Sequence, residues 1–317
     1  MGEFDLIERF FTRPSRRAAV GVGDDCAVFS VGPGMQLATS SDMLVEGRHF
    51  LSTVAPDRLG HKSLAVNLSD LAACGATPIA FTLALAMPRA EEAFLDGFSR
   101  GLLALADAHG CELIGGDTTQ GPLNICISVF GELPAGSAIL RSGARAGDDI
   151  YVSGTVGDAR LALEVFRGTQ SLSGGDFDEV RRAMELPQPR VALGTALRGI
   201  ASSAIDVSDG LLGDLSHILR RSKAGARIET ETLPRSAVMR AQPLSLQREC
   251  TLAGGDDYEL VFTASPANAD AVQRAAAKAG VAVARIGRIE AQPGLRLVDA
   301  HGDAVDNRFG SFDHFRA

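Results

Sequence analysis

The stretch Gly21-Val22-Gly23-Asp24-Asp25, with the apolar run Ala27-Val28-Phe29 close behind it, sets the reading of this chain. Glycine lets the backbone turn tightly or come close to a ligand. Adjacent aspartates repel each other, and a cation between them relieves the repulsion. One such pair reads equally well as a surface turn. Recurrence decides: Ser40-Ser41-Asp42, Asn67-Leu68-Ser69-Asp70, Gly115-Gly116-Asp117-Thr118-Thr119, Asp206-Val207-Ser208-Asp209-Gly210 and Gly254-Gly255-Asp256-Asp257 repeat the same chemistry. Carboxylates beside small, hydroxyl or turn-forming residues, met this often, point to a convergent metal and phosphate site.

The bulk properties narrow the class. At 317 residues the chain is too long for one small core and suits two domains. A net charge of −8, from 31 basic and 39 acidic residues, argues against a nucleic-acid surface. An anionic protein that handles phosphates needs local positive charge, and metal ions supply it. Cys26, Cys74, Cys111, Cys126 and Cys250 form no Cys-x-x-Cys pair and read as reduced thiols. The acidic start Met1-Gly2-Glu3-Phe4-Asp5 is unlike a signal peptide. The longest apolar stretch, 79–87, is about half what a bilayer span requires. The expectation is a soluble cytoplasmic protein with no membrane partner.

Periodicity predicts α/β architecture in two domains, 1–135 and 136–317, with the small-residue stretch 133–149 as the boundary. In the first half it predicts helices over 3–11, 57–73 and 90–109, the last stopped by Gly110. Strands are expected at 26–30, 36–39, 79–86, 112–114 and 123–130. In the second half helices are expected at 158–166, 178–185, 190–198, 211–221 and 267–279, and strands at 150–153, 204–207, 259–263, 282–289 and 295–299. Asn67 and Asp70, three apart, share a helix face.

Magnesium favours oxygen ligands, and aspartate suits it better than histidine or cysteine. The candidate ligands are Asp25, Asp42, Asp70, Asp117, Asp206 and Asp209, with the hydroxyls of Ser40, Ser41, Thr118 and Ser208 beside them. There is no Gly-x-x-x-x-Gly-Lys-Ser/Thr loop, no third Rossmann glycine, no His-x-x-x-His pair and no Gly-x-Ser-x-Gly elbow. Metal-assisted phosphoryl transfer is left in front, and a non-catalytic divalent-cation-binding protein is the rival from another class.

The ordered set is more specific than any block alone. It comprises the stretches 21–27, 41–50, 62–73, 113–119, 205–211 and 254–260 and the tail Phe312-Asp313-His314-Phe315. Together they resemble the thiamine-monophosphate kinase family, of the wider aminoimidazole ribonucleotide synthetase-like superfamily of ATP-dependent enzymes. The resemblance runs from residue 3 to 315. It implies a two-domain fold, a homodimer paired through N-terminal domains, and ATP in a cleft near the junction of the two halves. Several Mg²⁺ ions would bridge ATP and thiamine monophosphate. By position it implies Asp25, Asp42, Asp70, Asp117 and Asp206 as metal ligands, with Ser40, Ser41 and Asp209 as further ones. Gly116, Asp117, Arg141 and Ser208 match nucleotide contacts, and His49, Asp256 and Phe312 match substrate contacts.

Two positions depart from the family pattern: Asp256 stands where Glu is frequent, and Phe312 where Tyr or Trp is common. The acceptor phosphate is already ionised at neutral pH, so direct in-line transfer without a dedicated general base is expected. Simpler readings exist for single residues: His49 as a hydrogen-bonded structural residue, Arg141 as a solvated cation, Phe312 and Phe315 as packing. Asn67 reads as a helix brace and stays outside the set. Another synthetase of the superfamily is the nearest rival. Selenophosphate synthetase would need a reactive Cys or selenocysteine, with a Lys, in a glycine-rich N-terminal segment, and residues 1–20 carry neither Cys nor Lys.

Overall fold

A computed structural model describes residues 2–22 and 26–310. The chain forms two compact units, one from residues up to Leu71 with Ala76–Gly136, the other from Ala72–Gly75 with the chain from Ser137 onward. Each mixes helices with a sheet. Among the described residues no helix is long and apolar enough to cross a membrane.

The first unit runs α1 (Glu3–Phe10), β1 (Ala18–Val20), β2 (Val28–Phe29), β3 (Met35–Val45), α2 (Pro56–Cys74, whose last turn belongs to the second unit), β4 (Thr77–Met87), α3 (Glu92–His109), β5 (Glu112–Gln120) and β6 (Asn124–Pro134). Four strands form one sheet in the order β3-β6-β4-β5, antiparallel except for the parallel pair β4/β5. Ile125, Ile127 and Val129 alternate into the core as their period predicts. Helices α2 and α3 touch closely: a Cβ on Gly60 would stand 2.0 Å from the Phe98 carbonyl oxygen. The short hairpin β1/β2 lies on this unit, with Phe29 against Phe130 at 5.4 Å between ring centroids. Its approach is fixed by Glu112, which accepts from the Ser15 hydroxyl and the Arg16 and Arg17 amides.

β3 and β5 are longer than their sequence predicts. β3 continues through Ser40-Ser41-Asp42 to Val45, and β5 through Gly115-Gly116-Asp117 to Gln120. These polar residues look like turns locally, yet β6 and β4 offer partners along their whole length. Ladder pairing overrides local preference.

The second unit runs β7 (Asp149–Ser153), α4 (Asp158–Phe166), α5 (Gly174–Glu185), α6 (Val191–Ala196), β8 (Ser203–Asp206), α7 (Leu211–Ser222), β9 (Gly225–Glu229), α8 (Ala237–Arg240), α9 (Leu244–Ala253), β10 (Leu260–Ala264), α10 (Ala269–Ala279), β11 (Val283–Glu290), β12 (Gly294–Val298) and β13 (Ala304–Val305). Its seven-stranded sheet has the order β13-β12-β9-β11-β7-β10-β8. Only β9/β12 pair in parallel among these neighbours. Ile150, Val152, Ile205, Val261 and Ile286 from the strands meet Leu211, Leu215 and Ile218 of α7 in the main core. A second cluster joins α4, α5, α8 and α9 through Ala162, Val180, Met239 and Cys250. The sequence predicts none of β9, α8, α9 or β13.

Candidate functional site

In the first unit, alternation along β3 sorts the predicted ligands by face. Ser40 and Asp42 lie half-buried on the side of α2, whereas Ser41 is exposed on the other. The Ser40 hydroxyl donates to Asp70 Oδ2 at 2.5 Å. β3 is an edge strand, and the main-chain N–H of Asp42 is taken by Asn67 Oδ1 at 3.1 Å. Asn67, 1 % exposed, is aimed by its own bond from Nδ2 to the Ser63 carbonyl at 3.0 Å. It therefore braces the strand as well as its helix. Ser41 instead shares a 2.9 Å hydrogen bond with Ser128 and donates to the Ile127 carbonyl.

His49 follows β3 in a tight turn. Its Nδ1 accepts the Val45 N–H at 3.0 Å while its own N–H returns to the Val45 carbonyl at 3.0 Å. Nδ1 is thus an acceptor, and in the neutral ring the proton sits on Nε2, a donor suited to a phosphate oxygen.

Gly116 and Asp117 stand on β5, at the opposite edge of the sheet from β3. Register aligns Asp42 with Ile127, Ile127 with Leu83, and Leu83 with Gly116. Three strand spacings separate the ends of that row, about 14 Å. Gly116 adopts φ +152°, and a Cβ there would meet the Leu83 carbonyl oxygen at 1.8 Å, so no side chain fits. The structure brings Ser40, Asp42, Asp70 and His49 to one edge and leaves Asp117 at the other.

In the second unit, β8 ends on Asp206, 5 % exposed, and the loop Val207-Ser208-Asp209-Gly210 leads into α7. This loop is laced to the Gly254–Tyr258 segment: Asp256 N–H donates to the Ser208 carbonyl and Tyr258 N–H to the Val207 carbonyl, both at 2.8 Å. Asp256 (φ 72°) and Tyr258 (φ 51°) hold left-handed backbone without being glycine. Such residues cost of order 1–3 kcal/mol and persist where surroundings fix them. The lacing gathers Ser208, Asp209 and Asp256.

Next to them are three acids, two of them buried. Asp214 Oδ2 accepts the amides of Ser208 (3.0 Å) and Asp209 (3.1 Å). Burial, then the Asp209 charge, pushes its pKa up to about 7. Asp257 is half-buried and accepts the Gly157 N–H at 3.0 Å through either oxygen, and desolvation drives its pKa well up. Glu259 is held by Arg190 Nε at 2.6 Å and by the Ser153 hydroxyl at 2.5 Å. Arg141 is exposed, and its charge, after burial and that of Arg220, lowers the pKa of His217 on α7. Sequence reasoning missed Asn67, Asp214 and Asp257 as working parts. Asn67 carried a signal in its helical spacing from Asp70, and Asp257 in its place in the Gly254-Gly255-Asp256-Asp257 stretch; Asp214 carried none.

Asp25 and Phe312 lie outside the described residues, as do Asp24 and Phe315. Among the described residues no three His, Cys, Asp or Glu side chains gather as a metal cluster. The side chains of Ser40, Asp42 and Asp70 at the first unit's edge nonetheless offer oxygen donors only, carboxylate and hydroxyl, which fits a hard ion such as Mg²⁺.

Comparison with known proteins supplies the context. Residues 23–133 match the AIR synthase related protein N-terminal domain, and residues 145–300 the C-terminal domain of the same family. The thiamine-monophosphate kinase of Salmonella typhimurium is 45% identical over 320 residues, covering 99% of this chain and 98% of that protein. The crystal structure of thiamine-monophosphate kinase from Stenotrophomonas maltophilia K279a has a TM-score of 0.86 at 40% identity, covering 95% of this chain and 96% of that one. AaThiL complexed with AMPPCP and TMP has a TM-score of 0.77 at 27% identity, covering 90% and 89%.

Proposed function

The chain belongs to the AIR synthase related family and, within it, to the thiamine-monophosphate kinases, and from that premise we propose the following working of its site. The enzyme transfers the γ-phosphoryl group of ATP to the phosphate of thiamine monophosphate, giving thiamine diphosphate and ADP. The observation that carries this reading is the full-length relationship to thiamine-monophosphate kinases, including a relative that holds an ATP analogue and TMP together.

Asp42, Asp70 and Ser40 would hold Mg²⁺ in the first unit, and Asp206 and Asp209 in the second, with Asp25 and Asp117 as further ligands. When bound, Mg²⁺ supplies charge neutralisation between the two phosphate groups. The Ser41 hydroxyl is engaged on the far face of β3, so a ligand role for Ser41 falls to its main-chain oxygen. His49 Nε2–H donates to the thiamine monophosphate phosphate, and Asp256 and Phe312 contact the remainder of that substrate. Gly116, Asp117, Arg141 and Ser208 contact ATP. The acceptor phosphate is anionic at neutral pH, so the chain needs to remove no proton, and no dedicated base is assigned.

We propose a homodimer for a geometric reason as well. Asp42 and Asp117 occupy opposite edges of one sheet, too far apart to share an ion within one chain, so a second copy would bring its β5 edge to β3. Leu37 and Met43, 48% and 53% exposed, line the face of β3 away from α2 and suit such a contact. The protein is proposed to work in the cytoplasm. ³¹P NMR of ATP, Mg²⁺ and thiamine monophosphate with the protein tests the reaction: thiamine diphosphate and ADP are expected. ADP and free phosphate without thiamine diphosphate would overturn it in favour of another synthetase chemistry.

A further inference from the structure

Helix α7 is tied at both ends to residues that the proposed site uses. Near its start, Asp214 is 4% exposed and turns Oδ2 back to the amides of Ser208 and Asp209. Both of those residues precede the N-cap Gly210, so these bonds order the incoming loop and not only the first helical turn. At the last residue of α7, the half-buried Ser222 accepts the amides of Gly143 and Ala144 on one oxygen, each at 3.2 Å. The same hydroxyl lies 3.5 Å from the Arg141 carbonyl. Core packing of Leu211, Leu215 and Ile218 fixes the helix between these two ends.

We infer that Asp214 and Ser222 are positioning residues for nucleotide binding: through α7 they fix the two backbone segments that carry Ser208, Asp209 and Arg141. Neither side chain needs to touch the nucleotide. A loop amide whose acceptor is removed is free to turn toward water or a competing partner, and the adjacent side chain moves with it. Shells of this kind set ligand affinity through the residues they orient. The inference rests on the reading of Arg141 and Ser208 as nucleotide contacts and of Asp209 as a ligand of the nucleotide's metal.

The test is calorimetric titration of AMPPCP with Mg²⁺ into full-length protein, with thermal melting of every variant alongside. Asp214→Ala is expected to weaken binding about tenfold or more. Asp214→Asn keeps an oxygen acceptor and should restore most of the affinity. Ser222→Ala is expected to weaken binding about threefold with little change in melting temperature. Affinity that falls in the alanine variants and returns with Asn, out of step with melting temperature, supports the inference. Wild-type affinity in Ser222→Ala overturns it, even if Asp214→Ala does not fold. Affinity and melting temperature falling together, without rescue by Asn, also overturns it. Arg141→Ala and Asp209→Ala separate the two levels. If both bind normally, the site reading falls and the inference with it. If both bind weakly while the α7 variants bind normally, the inference alone falls.

Discussion

The two units hold their carboxylates in different ways. In the first, Ser40, Asp42 and Asp70 stand on regular elements, and their aim follows from strand alternation and from one helix face. In the second, Ser208, Asp209 and Asp256 stand on loops tied to each other and to a buried acid. The first arrangement is set by register, which a strand cannot change by one residue without turning its core side outward. The second depends on individual hydrogen bonds and on two strained residues. Loop-built placement should therefore tolerate less alteration of its supports, whereas edge-strand placement should fail mainly when a ligand itself is removed.

The sharpest way to break this comparison is to change a proposed ligand on the regular element. Asp42→Asn is expected to lower the rate of thiamine diphosphate formation by about a thousandfold, the scale of losing a main electrostatic contributor. Melting temperature should hardly move, and the ³¹P time course reads the rate. A substantial residual rate would deny the first unit its part in the chemistry.

The units should also differ in their response to pH. Asp158 donates nothing when ionised and accepts from the Ser236 hydroxyl at 2.7 Å. Burial, outweighing that bond, pushes its pKa up to about 6 from an ordinary value of 3.8. A raised folded-state pKa gives stability that is complete below 3.8 and lost as pH rises through about 6. Asp158→Asn should thus be more stable than wild type at pH 7, by up to about 3 kcal/mol, with the gap closing toward pH 4. Urea titrations across pH 4–7 measure it. Glu112 works the other way: burial opposes ionisation, but the Ser15 hydroxyl and the Arg17, Arg16 and Ala18 amides prevail and lower its pKa. Its support of the β1/β2 hairpin is present above the usual glutamate range and fades as pH falls through the lowered value. Hydrogen exchange resolved by residue should show protection around residues 15–20 falling on acidification.

A smaller effect separates bracing from ligation in the first unit. Asn67→Ala removes the side-chain acceptor of the half-buried Asp42 N–H and should cost about 1–3 kcal/mol. Denaturant unfolding gives the value. A loss near zero would mean that water replaces Asn67 and that Asp42 is held by β6 alone.

The smallest expected change has the opposite sign. Asp256→Gly relieves a left-handed residue and should stabilise the protein by up to about 1 kcal/mol. It should also raise the KM for thiamine monophosphate, because the proposed contact is removed. A variant neither more stable nor weaker in KM would show that the φ of 72° serves neither strain nor substrate.

Local patterns that needed no distant partner were legible. The alternation of Ile125, Ile127 and Val129 gave β6, and Gly110 and Gly280 end α3 and α10 in left-handed conformations (φ 60° and 67°) as helix-stopping glycines should. The acidic stretches were legible too, and with them the family. Hidden were features defined by a second segment. Ser40-Ser41-Asp42 and Gly115-Gly116-Asp117 look like turns until β6 and β4 lie beside them. Asn67 looks like a helix brace until the edge N–H of Asp42 comes within reach. Asp214 is one more polar residue on a helix until α7 folds it under the Ser208 loop. Residues 225–258 gave no prediction of a helix or strand because their short helices and β9 are stabilised mainly by the clusters they join.

By itself the sequence determined which chemistry is available: oxygen ligands in repeated acidic stretches, no thiol or imidazole cluster, and a family relationship along nearly the whole chain. These follow from residue identity and order, which folding does not alter. Tertiary structure decided which of those residues meet. It set Ser40 against Asp70 and Asn67 against the Asp42 amide, turned Ser41 to the other face, put Asp117 on the far edge, and placed Asp214 beneath the loop of Ser208 and Asp209. Strand register and helix docking arise from contacts between segments distant in sequence, so no local pattern contains them.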